Sequence, residues 1–204
     1  MKQQICVLGG SGFVGLRVVS ALAAEGHSIR VLTRRRERHR ELLVLPTVEV
    51  IDADIHNPDD LKQYFAGQDT VINLIGILNE KRDNGKGFYH AHVELAQKVI
   101  EACMAQGVKR LLHMSALNAD AATGSSYYLR SKGEAEQRVH AAHGIKVTSF
   151  RPSVIFGPGD NFINRFAELL RITPGVFPLA CGKSRFAPVY VGCLLYTSDA
   201  ADDN

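Results

Sequence analysis

Two groups of residues in this 204-residue chain have types and spacings that could do chemistry. The first is Gly9-Gly10-Ser11-Gly12-Phe13-Val14-Gly15, directly after the apolar run Ile5–Leu8. Gly9 permits a tight turn, Gly12 lets main chain approach a pyrophosphate, and Gly15 lets a helix pack close to the strand. The N–H groups that open the helix, at its positive dipole end, suit the phosphates. The second group is Tyr128 and Lys132, four apart and therefore on one helix face. A phenol, with a reference pKa near ~10, is a poor base at neutral pH. A neighbouring ammonium favours the phenolate and is expected to lower that value. Such a tyrosine can pass a proton to or from a hydroxyl while a hydride moves. Lys132 also suits a ribose hydroxyl, and Ser115, at the end of an apolar run, suits the reacting oxygen. The plain alternative for Tyr128 and Lys132 is a surface pair worth roughly a few tenths of a kcal/mol.

Other positions extend the first group. The end of the second strand often carries an acidic residue for a ribose 2′-hydroxyl. Here Thr33 is followed by Arg34 and Arg35. A guanidinium suits a 2′-phosphate, so NADP(H) is expected in preference to NAD(H). Otherwise the two arginines open a solvated helix. Asp54, with Ile55 beside it, follows the third strand and either reaches an adenine amino group or makes a turn. Leu74, Ile75 and Gly76 end the fourth strand, at the carboxyl edge where ligands sit. Gly76 permits close approach of a cofactor, or is a plain loop glycine. The histidines give little. His90 and His92 are too close together to face the same way, His113 reads as a satisfied core histidine, and no spacing suggests zinc.

These residues need a scaffold, and the hydrophobic pattern supplies one. Apolar runs at Ile5–Leu8, Ser28–Thr33, Val48–Ile51, Thr70–Ile75, Arg110–Met114 and Lys146–Phe150 read as strands. Helical patterns lie between them: Phe13–Ala24, a start at Asn57-Pro58, Phe88–Gln106 and Tyr128–His143. Apolar strands alternating with amphipathic helices predict an α/β fold, a doubly wound parallel sheet covered on both faces. The polar stretch Lys81–Gly87 reads as a mobile loop at the sheet edge. After Arg151-Pro152 the pattern turns Gly- and Pro-rich with one helix, Phe162–Leu170. Residues 1–152 are thus expected to form the dinucleotide-binding domain, and 153–192 the start of a substrate-side region.

Composition excludes several classes. Hydrophobic residues make up 46% and charged residues 22%, which rules out a disordered or collagen-like chain. A net charge of +3 does not argue for a nucleic-acid partner. Four cysteines, none in a ligand spacing, predict reduced thiols, with Cys6 and Cys103 buried. No apolar run is long enough to span a membrane, and the opening residues lack the apolar core and cleavage site expected of a signal peptide. A cytoplasmic protein is expected, or one held peripherally at the inner face of the membrane by a partner.

Together these residues resemble the extended and atypical short-chain dehydrogenase/reductase superfamily, of the NAD-dependent epimerase/dehydratase kind, over about residues 3–192. Gly9–Gly15 is similar to its TGxxGFxG loop, and Tyr128 with Lys132 to its YxxxK. Arg151–Asp160 resembles its RPxxxxGPGD segment, and Phe186–Gly192 its PVxVxD segment. VLTRRRERHREL, NLIGIL, HMSALNA and YLRSKGEAE resemble bacterial relatives of the nucleotide-binding accessory subunit of respiratory complex I, the alpha subcomplex subunit nine family. The resemblance implies a Rossmann fold, a nicotinamide cofactor and oxidoreductase or epimerase chemistry on a carbonyl or hydroxyl. It also implies a link to complex I or to ubiquinone synthesis. In the mitochondrial relative the cofactor is held to be structural, so a non-catalytic module that keeps NADPH is the rival reading.

From Cys193 onward the chain departs from that pattern, which continues with Asp and an apolar helix. Residues 193–204 back-translate into a sequence resembling a transposase adapter of sequencing libraries. They are expected to be adapter read-through, with the native substrate region lost beyond them. Resequencing of the source locus should show different codons after Gly192.

Overall fold

The computed structural model describes residues 2–160, 162–173, 175 and 185–194. The backbone falls into two compact units, Met1–Arg151 and Pro152–Asn204. The first holds six strands: β1 (Gln4–Leu8), β2 (Ser28–Thr33), β3 (Val48–Asp52), β4 (Thr70–Asn73), β5 (Arg110–Met114) and β6 (Lys146–Phe150). They form one parallel sheet in the order β3-β2-β1-β4-β5-β6. Leu8 of β1 stands opposite Leu32 of β2 on one side and Asn73 of β4 on the other. The chain leaves β1 toward β2 and β3, then returns to the opposite side for β4. A crevice therefore opens at the carboxyl ends of β1 and β4, where open α/β sheets bind ligands.

The helices are α1 (Phe13–Ala24), α2 (Arg40–Leu43), α3 (Pro58–Phe65), α4 (Lys86–Phe88), α5 (Leu95–Gln106) and α6 (Tyr127–His140). A π-helical turn, Tyr89–Glu94, joins α4 to α5. Local chemistry sets their ends. The Asn57 side chain accepts the Asp59 N–H to open α3, with Pro58 in the first position. Ser126 does the same for Leu129 at the start of α6. Gly107, in the left-handed region at φ 67°, closes α5.

Strand alternation explains the two-sided core. Cys6 and Leu8 face a cluster with Phe65, Leu95, Val99, Leu111 and Ala135. Ile5 and Val7 face the other, with Val19, Val31, Leu42 and Val50. Both sides of β1 are buried, so the strand reads as a continuous apolar run. Cys6 and Cys103 are free thiols inside the first cluster. Burial pushes the Cys6 thiol up to about 12 and raises that of Cys103 as well. Cys193 is free and exposed; Cys181 lies outside the described residues.

Several expectations differ in detail. β4 stops at Asn73, not Ile75, because the Asn73 Oδ1 accepts the Ile75 N–H at 3.1 Å and turns the chain. The helix expected to begin at Phe88 begins at Lys86. α6 ends at His140 instead of His143, since Ala142 and Ile145 turn back onto the core. The loop Lys81–Gly87, expected to be mobile, is tied by Glu80, whose carboxylate accepts N–H bonds from Asn84, Gly85 and Gly87.

In the second unit, β7 (Ile155–Phe156) pairs in parallel with β8 (Val189–Tyr190). Helix α7 runs Ile163–Ile172 rather than Phe162–Leu170. Asp160 sets its start by accepting the N–H groups of Phe162 and Ile163 at 2.8 and 2.6 Å. The expected tail beyond Leu194 lies outside the described residues. Among those described, no helix is long and apolar enough to cross a membrane.

Phe65 is fully buried between α3 and the sheet. Phe65→Ala should lower the unfolding free energy by about 3–5 kcal/mol, read from denaturant midpoints.

Candidate functional site: a glycine turn beside a buried lysine

The loop after β1 is shaped by what a side chain would strike. Gly9 has φ +78°, a conformation that favours glycine. A Cβ on Gly15 would run into the Gly9 carbonyl oxygen and lie 2.6 Å from the Gly10 Cα. The Gly12 N–H donates to the Gly9 carbonyl at 3.0 Å, closing the turn. No side chain caps α1, and its first turn carries no acidic residue. The opening N–H groups, those of Phe13, Val14 and Gly15 among them, therefore suit an anionic ligand. Ser11 lies between Gly10 and Gly12 on the same turn. This tight, uncapped cradle fits a dinucleotide diphosphate.

Lys132 sits beneath the neighbouring strand end. It is 3% exposed, and its Nζ donates to the carbonyls of Ile75 at 3.1 Å and Met114 at 2.9 Å. An ammonium has three donors, so one remains. Burial lowers its pKa to about 8. A Cβ on Gly76 would lie 3.1 Å from this Nζ. Close approach, rather than a left-handed φ, is what Gly76 provides. Leu74 and Ile75 lie against the loop, since a Cβ on Gly9 would come within 3.3 Å of both. The Leu74 N–H still joins the Leu8 carbonyl at 3.0 Å.

Tyr128 lies one helical turn before Lys132, and the two make no hydrogen bond to each other. Its ring meets those of Phe88 and His92 edge-on, at 6.0 and 5.5 Å between centroids. The expectation that Lys132 lowers the phenol's pKa is corrected: burial raises it. Ser115, directly after β5, is buried, and its hydroxyl lies close enough to Glu136 to help hold that carboxyl down. Burial alone would raise Glu136; hydrogen bonds, chiefly from Arg151, outweigh it. Glu136 is two helical turns, about 12 Å of helix rise, beyond Tyr128.

Arg34 and Arg35 are exposed after β2, and neither makes an ion pair among the described residues. Asp54 forms a turn: its Oδ1 accepts the His56 N–H at 2.9 Å, and its own N–H donates to Asp60. Ile55 packs on the core.

Sequence reasoning missed His92. It is 2% exposed, with its Nε2 3.1 Å from the Ile77 amide and its Nδ1 2.8 Å from the Ser131 hydroxyl. The signal was present, because Phe88, His92, Leu95 and Ala96 recur at helical spacing on the apolar face. His90 points outward and stacks on His56 at 4.1 Å. His113 was expected to be satisfied, yet only its Nδ1 has a partner, Asn73 at 3.4 Å, and its buried Nε2 has none.

The parallel sheet and glycine turn define a dinucleotide-binding protein of the Rossmann class. The chain belongs to the NAD dependent epimerase/dehydratase family, whose pattern it matches over residues 5–176. It is 32% identical over 190 residues to a ceramide reductase of Caulobacter vibrioides, covering 92% of this chain and 57% of that protein. It is also 32% identical over 166 residues to the mitochondrial NADH dehydrogenase [ubiquinone] 1 alpha subcomplex subunit 9 of Mus musculus, covering 79% and 43%. The chain thus spans about half the length of these relatives. Its fold is that of the Bordetella bronchiseptica enzyme WbmG, solved in complex with NAD. The TM-score is 0.79 at 20% identity, covering 98% of this chain and 68% of that one.

Acid should test the buried rings. Burial, then Lys132, lowers His92 and His113 from 6.5 to about 3. Between those values the unfolded chain binds more protons than the folded one. Their contribution to stability is complete above pH 6.5 and is lost as pH falls toward 3. Denaturant midpoints at pH 7 and pH 5 should show the loss, and His92→Gln should shrink it.

Proposed function

We propose that the protein is a nicotinamide-dependent reductase or epimerase-type enzyme acting on a carbonyl or hydroxyl, with NADP(H) preferred to NAD(H). The observation that carries this reading is the seating of Lys132. Its ammonium is held at the strand end beside the glycine turn, with one donor left, one helical turn from a half-buried tyrosine. When bound, the nicotinamide supplies or accepts a hydride at the substrate carbon. Tyr128 holds the proton that the substrate oxygen gains or gives up. Burial keeps its phenol protonated at neutral pH, which suits the donating direction, reduction. Lys132 offers its remaining N–H to the ribose hydroxyls. Phe88 and His92 crowd the tyrosine ring and exclude water from its inner face.

The cradle of Gly9, Gly10, Ser11, Gly12, Phe13, Val14 and Gly15 takes the diphosphate, with Leu74, Ile75 and Gly76 alongside. Asp54 and Ile55 border the adenine end. The free guanidiniums of Arg34 and Arg35 support the 2′-phosphate preference through charge-assisted bidentate bonds. NADPH should bind about 10- to 100-fold more tightly than NADH, and Arg34→Ala with Arg35→Ala should remove most of the difference. Equal affinities in calorimetric titrations of the unaltered protein would defeat the arginine argument.

A second reading, a non-catalytic module that holds NADPH within a respiratory assembly, is favoured by the buried Ser115 hydroxyl and by the phenol that no ammonium assists. A membrane-peripheral position through such a partner belongs to this reading. Turnover separates the two. In the native-length protein, Tyr128→Phe should cut reduction of carbonyl substrates, quinone precursors and nucleotide sugars included, by about 10²–10⁴ while leaving coenzyme affinity unchanged. Tight NADPH binding without turnover on any of them would establish the module.

A further inference from the structure

The segment Ile75-Gly76-Ile77 is held at both ends by side chains from two different helical elements. Lys132 of α6 takes the Ile75 carbonyl at 3.1 Å. His92, in the π-helical turn, faces the Ile77 amide with its Nε2 at 3.1 Å. That amide can only donate, so Nε2 is the unprotonated nitrogen of a neutral ring and Nδ1 carries the hydrogen. The Nδ1–H then donates to the Ser131 Oγ at 2.8 Å. The Ser131 hydroxyl in turn donates to the Tyr128 carbonyl at 2.9 Å. Every donor and acceptor in this series is fixed in direction, from the main chain of residue 77 to the main chain of residue 128. Gly76 sits between the two holds, where a Cβ would be 3.1 Å from the Lys132 Nζ and 3.7 Å from the His92 Nε2. The His92 ring also meets the Tyr128 ring edge-on at 5.5 Å.

We propose that His92 is a positioning residue. It fixes the Ile75–Ile77 segment relative to Tyr128, through the Ile77 amide on one side and Ser131 on the other. The proposal rests on the reading of Tyr128 and the glycine turn given above, but its first readout is independent of that reading. A π turn gives His92 this place. Such turns are common at functional sites.

The test uses the native-length protein with His92→Phe, His92→Gln and Ser131→Ala. Phenylalanine keeps the volume and loses both bonds. Glutamine keeps an acceptor near the Nε2 position, and Ser131→Ala removes only the link to Tyr128. Hydrogen exchange at the Ile77 amide should be about tenfold faster in His92→Phe and near wild type in His92→Gln, with the Val71 amide of β4 unchanged in both. The Kd for NADPH should rise by about fivefold in His92→Phe, with a smaller rise in Ser131→Ala. Should His92→Phe fail to fold, Ser131→Ala carries the test through the Kd. Ile77 exchange at the wild-type rate in a folded His92→Phe, or an unchanged Kd in Ser131→Ala, overturns the proposal. An unaltered protein that binds no nicotinamide coenzyme overturns the functional reading instead, and leaves the exchange result standing.

Discussion

Lys132 carries a charge into a place with almost no water. Its two partners are main-chain carbonyls at the ends of β4 and β5, not a carboxylate. Those carbonyls fall just where the strands run out of neighbours to pair with. A buried ammonium without such partners would be costly, and carbonyls at a strand end without donors would be costly too. One side chain resolves both problems and ties α6 to the sheet. The consequences spread along the helix. Tyr128 is set one turn before the tie, and Glu136 one turn after it, where it meets Arg151 near the surface. Burial draws the amine down to about 8, so it stays mainly charged at neutral pH.

The sheet was legible because burial on both faces leaves a plain mark. Ile5, Cys6, Val7 and Leu8 are all apolar, and each faces a covered side. Helix ends were legible where one residue makes the end, as with Asn57 and Gly107. They were harder to read where a side chain bonds main chain a few residues on. Asn73 takes the Ile75 amide in a local turn that stops the strand, where an apolar run alone continues it. Glu80 gathers three N–H groups of the loop that follows it, which a polar composition alone does not reveal.

The glycine turn could be read in full, since its constraint is steric and lies within seven residues. The catalytic-type group could be read only in part. Spacing places Tyr128 and Lys132 on one face, but does not say what else competes for the ammonium. Two carbonyls won it, and the phenol was left to the effect of burial. His92 is masked in the sequence by His90, two positions away and on another face. The more useful pattern was its agreement with Phe88 and Leu95, which marks a polar ring that must find partners inside.

The two interior sulfurs give the molecule a built-in alarm. Cys6 lies in the central strand and Cys103 on the helix above it, both sealed and both held as thiols far above their ordinary range. The thiolate is the reactive form. An alkylating reagent at neutral pH should therefore pass these two by. They become visible only when the first strand parts from its cover, so the rate of their labelling clocks the opening of the domain's centre.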